Sequence, residues 1–324
     1  MKRKFIFTTY DLKNIKKYKE RINKKFDVYS VSAASDPESN TLIFVCSMND
    51  EILKKIHTVK ESIILVNCDT DDELAEDNLV LKADNPRMEY AKILKFILDS
   101  QVKEDREYEV NAHGYVKGKN VEVGEQTIIE PFVFIGDNCK IGRKCIIRSG
   151  AKIRENTVIG NDCLIKENCV IGDEGFGMER DENGIPYKIP HLGGVVIGNN
   201  VEVGALVSIA QGTIKPTVIE DYVKIDDCVF IAHNCRIEKG AYIIANAEIS
   251  GSVKIGRYSW IGPSVSIIDR VNIGNNVTAG VGAVIIKDVP DNQIVAGNPA
   301  DTTQNIRKMK AQREQSLKIT ATQY

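Results

Sequence analysis

Aromatic residues are scarce in this 324-residue chain, at 6% of positions with a single Trp, Trp260. A core of that composition is filled by aliphatic side chains rather than rings. Histidine is scarcer, with 4 residues, His57, His113, His191 and His233, so candidates for proton transfer or metal ligation are few. No Cys-x-x-Cys pair occurs among the 8 cysteines; Cys139/Cys145 and Cys163/Cys169 are each six apart, which is not a zinc spacing. Eight cysteines in this length are also too sparse for a disulfide scaffold. Charge of one sign is lacking: 43 Lys+Arg stand against 45 Asp+Glu, a net of −2, and no basic footprint for a nucleic acid follows. No apolar run reaches the 18 or so residues of a membrane-spanning helix. The start, Met1-Lys2-Arg3-Lys4-Phe5-Ile6-Phe7, resembles a signal peptide, but Thr8, Thr9, Tyr10 and Asp11 cut it short. It reads as a first β-strand in a cytoplasmic protein.

What is present is a repeat. An aliphatic residue recurs every six positions from Val123 through Ile129, Ile135, Ile141, Ile147, Ile153, Ile159 and Ile165 to Ile171. The series resumes at Ile197, Val203 and Ile209, is shifted by a four-residue insertion near Thr213–Pro216, and runs on from Ile219 to Ile273. Of these 22 positions, 20 are Ile. Four residues after each stands a small or β-branched residue, such as Cys139, Cys145, Thr157, Cys163, Cys169, Val201, Cys235 or Ala247. Position i therefore points inward, position i+4 fills a corner of limited volume, and polar residues between them turn the chain. Six residues make one face of a prism and three faces make an 18-residue coil, the hexapeptide pattern of a parallel β-helix. Five of the eight cysteines occupy the inward corner, where Cys serves as a compact hydrophobe.

Residues 1–108 lack this period. Apolar runs Phe5–Thr8, Leu42–Val45, Ile63–Val66 and Leu79–Leu81 read as strands, and Leu12–Phe26, Asp50–Thr58 and Arg87–Asp99 read as helices. The alternation predicts a small α/β domain, with Lys103–Glu109 as linker. The β-helix is expected over 109–300 with a long loop at 173–195, and a polar C-terminal helix within 301–324, from Thr302 to about Leu317. Long loops of that kind are often functional, though a tolerated insertion fits the break equally well.

Coil arithmetic locates the chemistry. Only His233 lies in the regular coils; it follows Ile231-Ala232 and so faces outward near a turn. An exposed His taken alone is more often inert than catalytic. One coil further along the same edge, however, stands Gly251, and a glycine permits close backbone approach. A His beside a bare backbone N–H is a minimal acyl-transfer site, a base plus an oxyanion donor. A single coil His also cannot supply the three metal ligands of hexapeptide carbonic anhydrases, and no metal is expected.

Several segments are similar to known sequences. Asp84-Asn85-Pro86-Arg87 with Tyr90-Ala91-Lys92, Gly172–Gly177, Lys188-Ile189-Pro190 and Ile231-Ala232-His233-Asn234, in that order, resemble the UDP-3-O-acylglucosamine N-acyltransferases of lipid A synthesis, which are left-handed β-helix enzymes. The resemblance implies a homotrimer with active sites between subunits. It makes His233 the general base and Gly251 the oxyanion donor, with Asp226, Asp227 and Asn234 contributing to the site. The N-terminal domain would hold the nucleotide, through Phe44, Ser47 and Asn85, and Phe176 and His191 would line the acyl or sugar pocket. The acyl donor would lie along a groove at Gly280, Gly282 and Gly297-Asn298-Pro299. The chain departs from that family in three places. A Phe-x-x-Asn-x-x-Tyr uracil motif is reduced to Phe44, with Ser47 and Asp50 following; an expected Asp-Arg-Gly reads Ala210-Gln211-Gly212; and the Ile285–Ala300 ending is similar to coenzyme-A-dependent sugar acetyltransferases. These departures favour the related N-acyltransferases that move an acyl group, possibly a short 3-hydroxyacyl, from acyl-CoA to a dTDP-linked amino-deoxysugar in surface-polysaccharide synthesis, such as the enzyme of anthrose synthesis. The alternative is the lipid A enzyme itself, with acyl-ACP (acyl carrier protein) as donor. A non-catalytic β-solenoid scaffold is the third reading, since a fold alone does not prove activity.

Overall fold

The computed structural model describes residues 4–70, 72–101 and 107–321, with side chains described as far as Gln312 in the last helix. Residues 1–3, and 103–106 of the stretch read as linker, lie outside the described residues. The chain divides into two compact units that do not follow chain order: Met1–Glu107 with Glu174–Gly194 and Gln211–Pro216, and Tyr108–Asp173 with Val195–Ala210 and Thr217–Tyr324. The segments ejected from the repeat thus belong to the first unit.

That unit is built on a four-stranded parallel sheet, β3 (Ser30–Val31), β4 (Thr41–Val45), β5 (Ile63–Val66) and β6 (Leu79–Lys82), in chain order; β1 (Phe7–Thr8) and β2 (Asp27–Val28) pair antiparallel beside it. Period-two alternation splits the strands between two cores. Leu42, Ile63, Leu65, Leu79 and Leu81 pack with Tyr90, Ile93, Leu94 and Ile97 of α3 (Pro86–Ser100). Ile43, Val45, Ile64 and Val66 pack with Ile56 of α1 (Asp50–Ile56) and Leu74 of α2 (Asp72–Asp77). Ile189, Leu192 and Ile214 join the α3 core, so the ejected loops are part of this hydrophobic unit. The sequence expectation of a helix over Leu12–Phe26 is not met. Two 3₁₀ turns, Thr9–Asn14 and Lys16–Tyr18, take the first part of that stretch, and a turn and irregular chain lead from there to β2, and α2 was not anticipated from the sequence.

In the second unit the strands of the coils pair in parallel with the strand one coil away, as in Ile129↔Ile147↔Ile165 on one face and Ile231↔Ile249↔Ile267 on the next, while the terminal strands Glu109–Val110 and Asp301–Thr302 pair antiparallel at the two ends. Three long sheets result, of 10, 10 and 8 strands among the described residues. The face of Ile225, Ile243 and Ile261 is called face 1 here, that of Ile231 and Ile249 face 2, and that of Ile237 and Ile255 face 3. The register absorbs both interruptions: Ile165 pairs with Val203 and Val203 with Ile225, after which the 18-residue spacing returns. The interior is the expected Ile column with small corners.

The turns explain the polar spacer. The residue at i+3 takes a positive φ at corner after corner, at Asn138, Asn156, Asn168, Asn200, Asn234, Asn246 and Asn276 and at Gly150, Gly240 and Gly282. Asn and Gly are the residues for which the left-handed region is least costly. The inward corner has a polar duty as well. Cys139, Cys145 and Cys235 each donate S–H to a carbonyl of the next coil, of Arg154, Gly160 and Ser250, at 3.1 Å, as Ser259 Oγ does to Gly274 O at 2.8 Å. These cysteines are therefore more than compact hydrophobes. Thr157 is the exception: its buried Oγ1 has no partner among the described residues, because Gly172 opposite it turns with φ +90 where the chain leaves for the long loop. The C-terminal helix α4 runs Thr303–Ala321, a turn beyond the expected end. No helix among the described residues is long and apolar enough to cross a membrane.

Candidate active site

His233 and Gly251 lie at the corner between faces 2 and 3, one coil apart. The ring covers the glycine: a Cβ placed on Gly251 would stand 2.8 Å from His233 Cε1 and 3.1 Å from Nε2. Any side chain there displaces the imidazole, which accounts for the glycine. Asn234, at the left-handed position with φ 62, places its amide 3.0 Å from His233 Nδ1. With Nδ2 turned to the ring, Nδ1 accepts and the ring proton resides on Nε2. With the amide turned over, Oδ1 accepts from Nδ1–H and Nε2 presents its lone pair. The two orientations look alike to X-rays at ordinary resolution but differ chemically: only the second makes Nε2 a base.

The Gly251 N–H is open. At several corners the equivalent N–H is capped by a side chain of the adjoining coil: Lys119 N by Asp137 Oδ1 (2.8 Å), Arg143 N by Asn161 (3.0 Å), Ala205 N by Asp227 (2.8 Å) and Arg257 N by Asn275 (2.9 Å); at others, such as Glu125 and Asp137, it takes no partner among the described residues, but no histidine stands over it. Asp269 occupies the capping position for Gly251 but turns to Arg270 at 3.6 Å. Gly251 N–H takes no partner among the described residues, while its carbonyl holds Arg270 N at 2.9 Å. A fixed, uncapped donor beside an imidazole is suited to an oxyanion.

The other sequence-derived candidates fall elsewhere. Asp226 and Asp227 stand at the preceding corner, between faces 1 and 2, and serve as caps there: Asp226 accepts from Ala245 N and Asp227 N, and Asp227 from Ala205 N, with Lys166 at 3.6 Å. Within one chain they do not join His233. Gly280, Gly282 and Gly297 share that same edge; Gly282 is open on its outer side, whereas a Cβ on Gly280 would meet Ala296 at 3.2 Å. Gly297, Asn298 and Pro299 line a cavity of about 720 Å³ with Lys287, Lys310, Ile306 and Met309 against α4; Gly280 and Gly282 are not part of its wall. The two lysines were not singled out from the sequence.

In the first unit, Phe44 stacks obliquely on Tyr90, ring centres 4.9 Å apart. Ser47 is exposed just past the carboxyl end of β4, the end of a parallel sheet where ligands bind. Asn85 caps α3, its Oδ1 accepting from Met88 N at 3.0 Å. Arg87 lies 3.5 Å from Glu179 at that end, a pair that sequence reading missed. Phe176 is 84% exposed, whereas His191 is buried at 3%. His191 Nδ1 donates to Ile189 O at 2.9 Å, and the ring rests on Gly177, whose added Cβ would stand 2.7 Å from Cε1. Among the described residues no cluster of three or more His, Cys, Asp or Glu is set to hold a metal.

A parallel prism of hexads bearing one His over one bare glycine N–H defines an acyltransferase of the hexapeptide-repeat class. The model of the family "Bacterial transferase hexapeptide (six repeats)" matches residues 120–155 and 138–173. The chain is 36% identical over 253 residues to the UDP-3-O-acylglucosamine N-acyltransferase of Campylobacter lari, covering 76% of this chain and 79% of that protein. It belongs to that family. A second relative, UDP-3-O-acylglucosamine N-acyltransferase 2 of Legionella pneumophila (strain Lens), is 38% identical over 130 residues, where the match spans 40% of this chain and only 38% of that protein. Among solved structures, a UDP-N-acetylglucosamine O-acyltransferase of Moraxella catarrhalis superposes with a TM-score of 0.54 at 24% identity, over 61% of this chain and 77% of that one, a likeness of fold.

Proposed function

We propose that the protein transfers an acyl group from a thioester to the amino group of a nucleotide-linked glucosamine, as the names of its relatives describe for them. His233 over the uncapped Gly251 N–H is the observation that carries this reading. The sugar amine attacks the thioester carbonyl, the carbonyl oxygen becomes an oxyanion on Gly251 N–H, and His233 Nε2 takes the amine proton, passing it to the departing thiolate. One such donor lowers a barrier by about 3–4 kcal/mol. The substrate we favour is a UDP-3-O-acylglucosamine, since a relative of that name matches 76% of the chain. This reverses the preference drawn from sequence motifs for a dTDP-amino-deoxysugar with acyl-CoA. That second reading keeps one support: Ser47 and Asp50 follow Phe44 where a uracil-binding Asn and Tyr were expected. In either reading the edge of Asp227 and Gly282 reaches His233 only from a second copy of the chain, as a homotrimer with sites between subunits would provide.

Purified protein offered acyl-ACP with UDP-3-O-acylglucosamine, and acyl-CoA with a dTDP-amino-deoxysugar, separates the readings by product mass. An acylated UDP-sugar that disappears in His233→Ala supports the first. An acylated dTDP-sugar alone replaces it with the second, and no product from either pair removes both.

A further inference from the structure

The corners of the β-helix are tied by a regular ladder. The N–H of the left-handed residue donates to the carbonyl of the residue just before the equivalent corner position one coil back. On the His233 edge this holds for Asn138 to Lys119 O (2.9 Å), Asn156 to Asp137 O (3.0 Å), Ser252 to His233 O (2.8 Å) and Arg270 to Gly251 O (2.9 Å). Asn234 breaks the series. The coil before it leaves the edge after Ala210 and returns at Thr217, so the ladder carbonyl is gone. Asn234 N–H donates instead to Thr217 Oγ1 at 2.9 Å. Thr217 is wholly buried, at 0%.

We propose that Thr217 is a positioning residue for the acyl-transfer site: its hydroxyl replaces the missing backbone rung and fixes the His233–Asn234 peptide, and with it the imidazole over Gly251. Other hydroxyls at the inward corner act differently. Thr127 and Ser259 accept from the inward-corner N–H of the next coil, Cys145 N and Val277 N, at 3.0 Å. Thr217 accepts from the residue before that, which is the neighbour of the histidine. Thr157 occupies the same column, aligned with Thr217 through Val195, is equally buried, and its Oγ1 has no partner among the described residues. The pair is a built-in control: the same residue type in the same setting, one hydroxyl engaged at the site and one idle. The inference rests on the acyl-transfer reading for its catalytic part only.

The experiment compares Thr217→Val, Thr217→Ser and Thr157→Val in the full chain, by steady-state kinetics on whichever substrate pair is turned over and by hydrogen exchange of the Asn234 amide. In Thr217→Val, kcat falls roughly 10- to 100-fold with KM within about twofold, and Asn234 exchange quickens. Thr217→Ser restores both, and Thr157→Val leaves both as in the wild type. Wild-type kcat in Thr217→Val, or an equal loss in Thr157→Val, overturns the proposal. If the wild type acylates neither acceptor the proposed function fails. The exchange arm needs no substrate, and unchanged Asn234 exchange in Thr217→Val overturns the positioning role by itself.

Discussion

Two kinds of corner in the β-helix differ by one hydrogen bond. At Lys119, Arg143, Ala205 and Arg257 the turn N–H is closed by an Asp or Asn from the adjoining coil. At Gly251 the residue in the capping place faces Arg270 and the N–H stays open beneath His233. A hydrogen bond of this kind contributes about 1 kcal/mol net, so the open corner lacks a stabilising contact that the capped corners have. Open corners without a histidine, such as Asp137, show that the missing cap alone marks nothing; the reactive position is the conjunction of an open N–H with an imidazole lying over it.

The largest effect expected tests that difference at the imidazole. His233→Ala lowers kcat by about 10²- to 10⁴-fold, the range for a positioned acid–base group, with little change in thermal midpoint because the ring is no part of the Ile column. A variant retaining most of the wild-type kcat would show that the amine loses its proton without help and that His233 merely orients it. Gly251→Ala comes next. Its backbone conformation tolerates alanine, but the methyl would stand 2.8 Å from His233 Cε1. A loss of order 10²-fold in kcat with a folded, cooperative protein is expected; unchanged turnover would mean that the ring is not needed over the N–H.

Asn234→Asp sharpens the choice between the two amide orientations. Asp is accommodated with positive φ at the same kind of corner by Asp162, at φ 56. A carboxylate only accepts, so it holds the proton on Nδ1 and leaves Nε2 as a base, while raising the imidazole pKa. The acid limb of the kcat profile then moves to higher pH with the plateau largely kept. Loss of activity at every pH would instead identify Nε2–H as the working form.

At the closed corners the expectation is opposite. Asp137→Ala leaves Lys119 N–H uncapped and lowers stability by about 1 kcal/mol, read from urea unfolding, with kcat as in the wild type. A fall in kcat would mean that corner geometry is transmitted along the prism.

The prism was legible from sequence because each Ile reports its own position: inward at i, small at i+4, with no long-range information needed. His233 and Gly251 followed from the same period, being one coil apart. The 3₁₀ turns at Thr9–Tyr18 were not legible, since the apolar residues Leu12, Ile15, Tyr18 and Ile22 at spacings of three and four also fit an α-helix, and tertiary packing decided the outcome. The burial of His191 depends on Gly177 approaching from 14 residues away in the loop, a contact without periodicity. The caps of Asp226 and Asp227 were hidden by their nearness in sequence to His233. Three faces per coil put a corner six residues off on a different edge.

The smallest effect concerns the cysteine corners. Burial pushes the Cys139 and Cys235 thiols up to about 12, against an ordinary value near 9, because a thiolate in the Ile column has no water. A raised folded-state pKa means that the unfolded chain releases the proton first. The stability these thiols contribute is complete below about pH 9 and is lost as pH rises toward 12. Cys139→Val/Cys235→Val removes both groups while keeping a residue that the column uses at Val201 and Val253. At pH 7 the variant is slightly less stable, having lost the two S–H···O bonds to Arg154 and Ser250. Between pH 9 and 11 its urea midpoint falls less steeply than that of the wild type. Parallel slopes would mean that the corner thiols are already solvated in the folded chain, and the column would then be less dry than its composition implies.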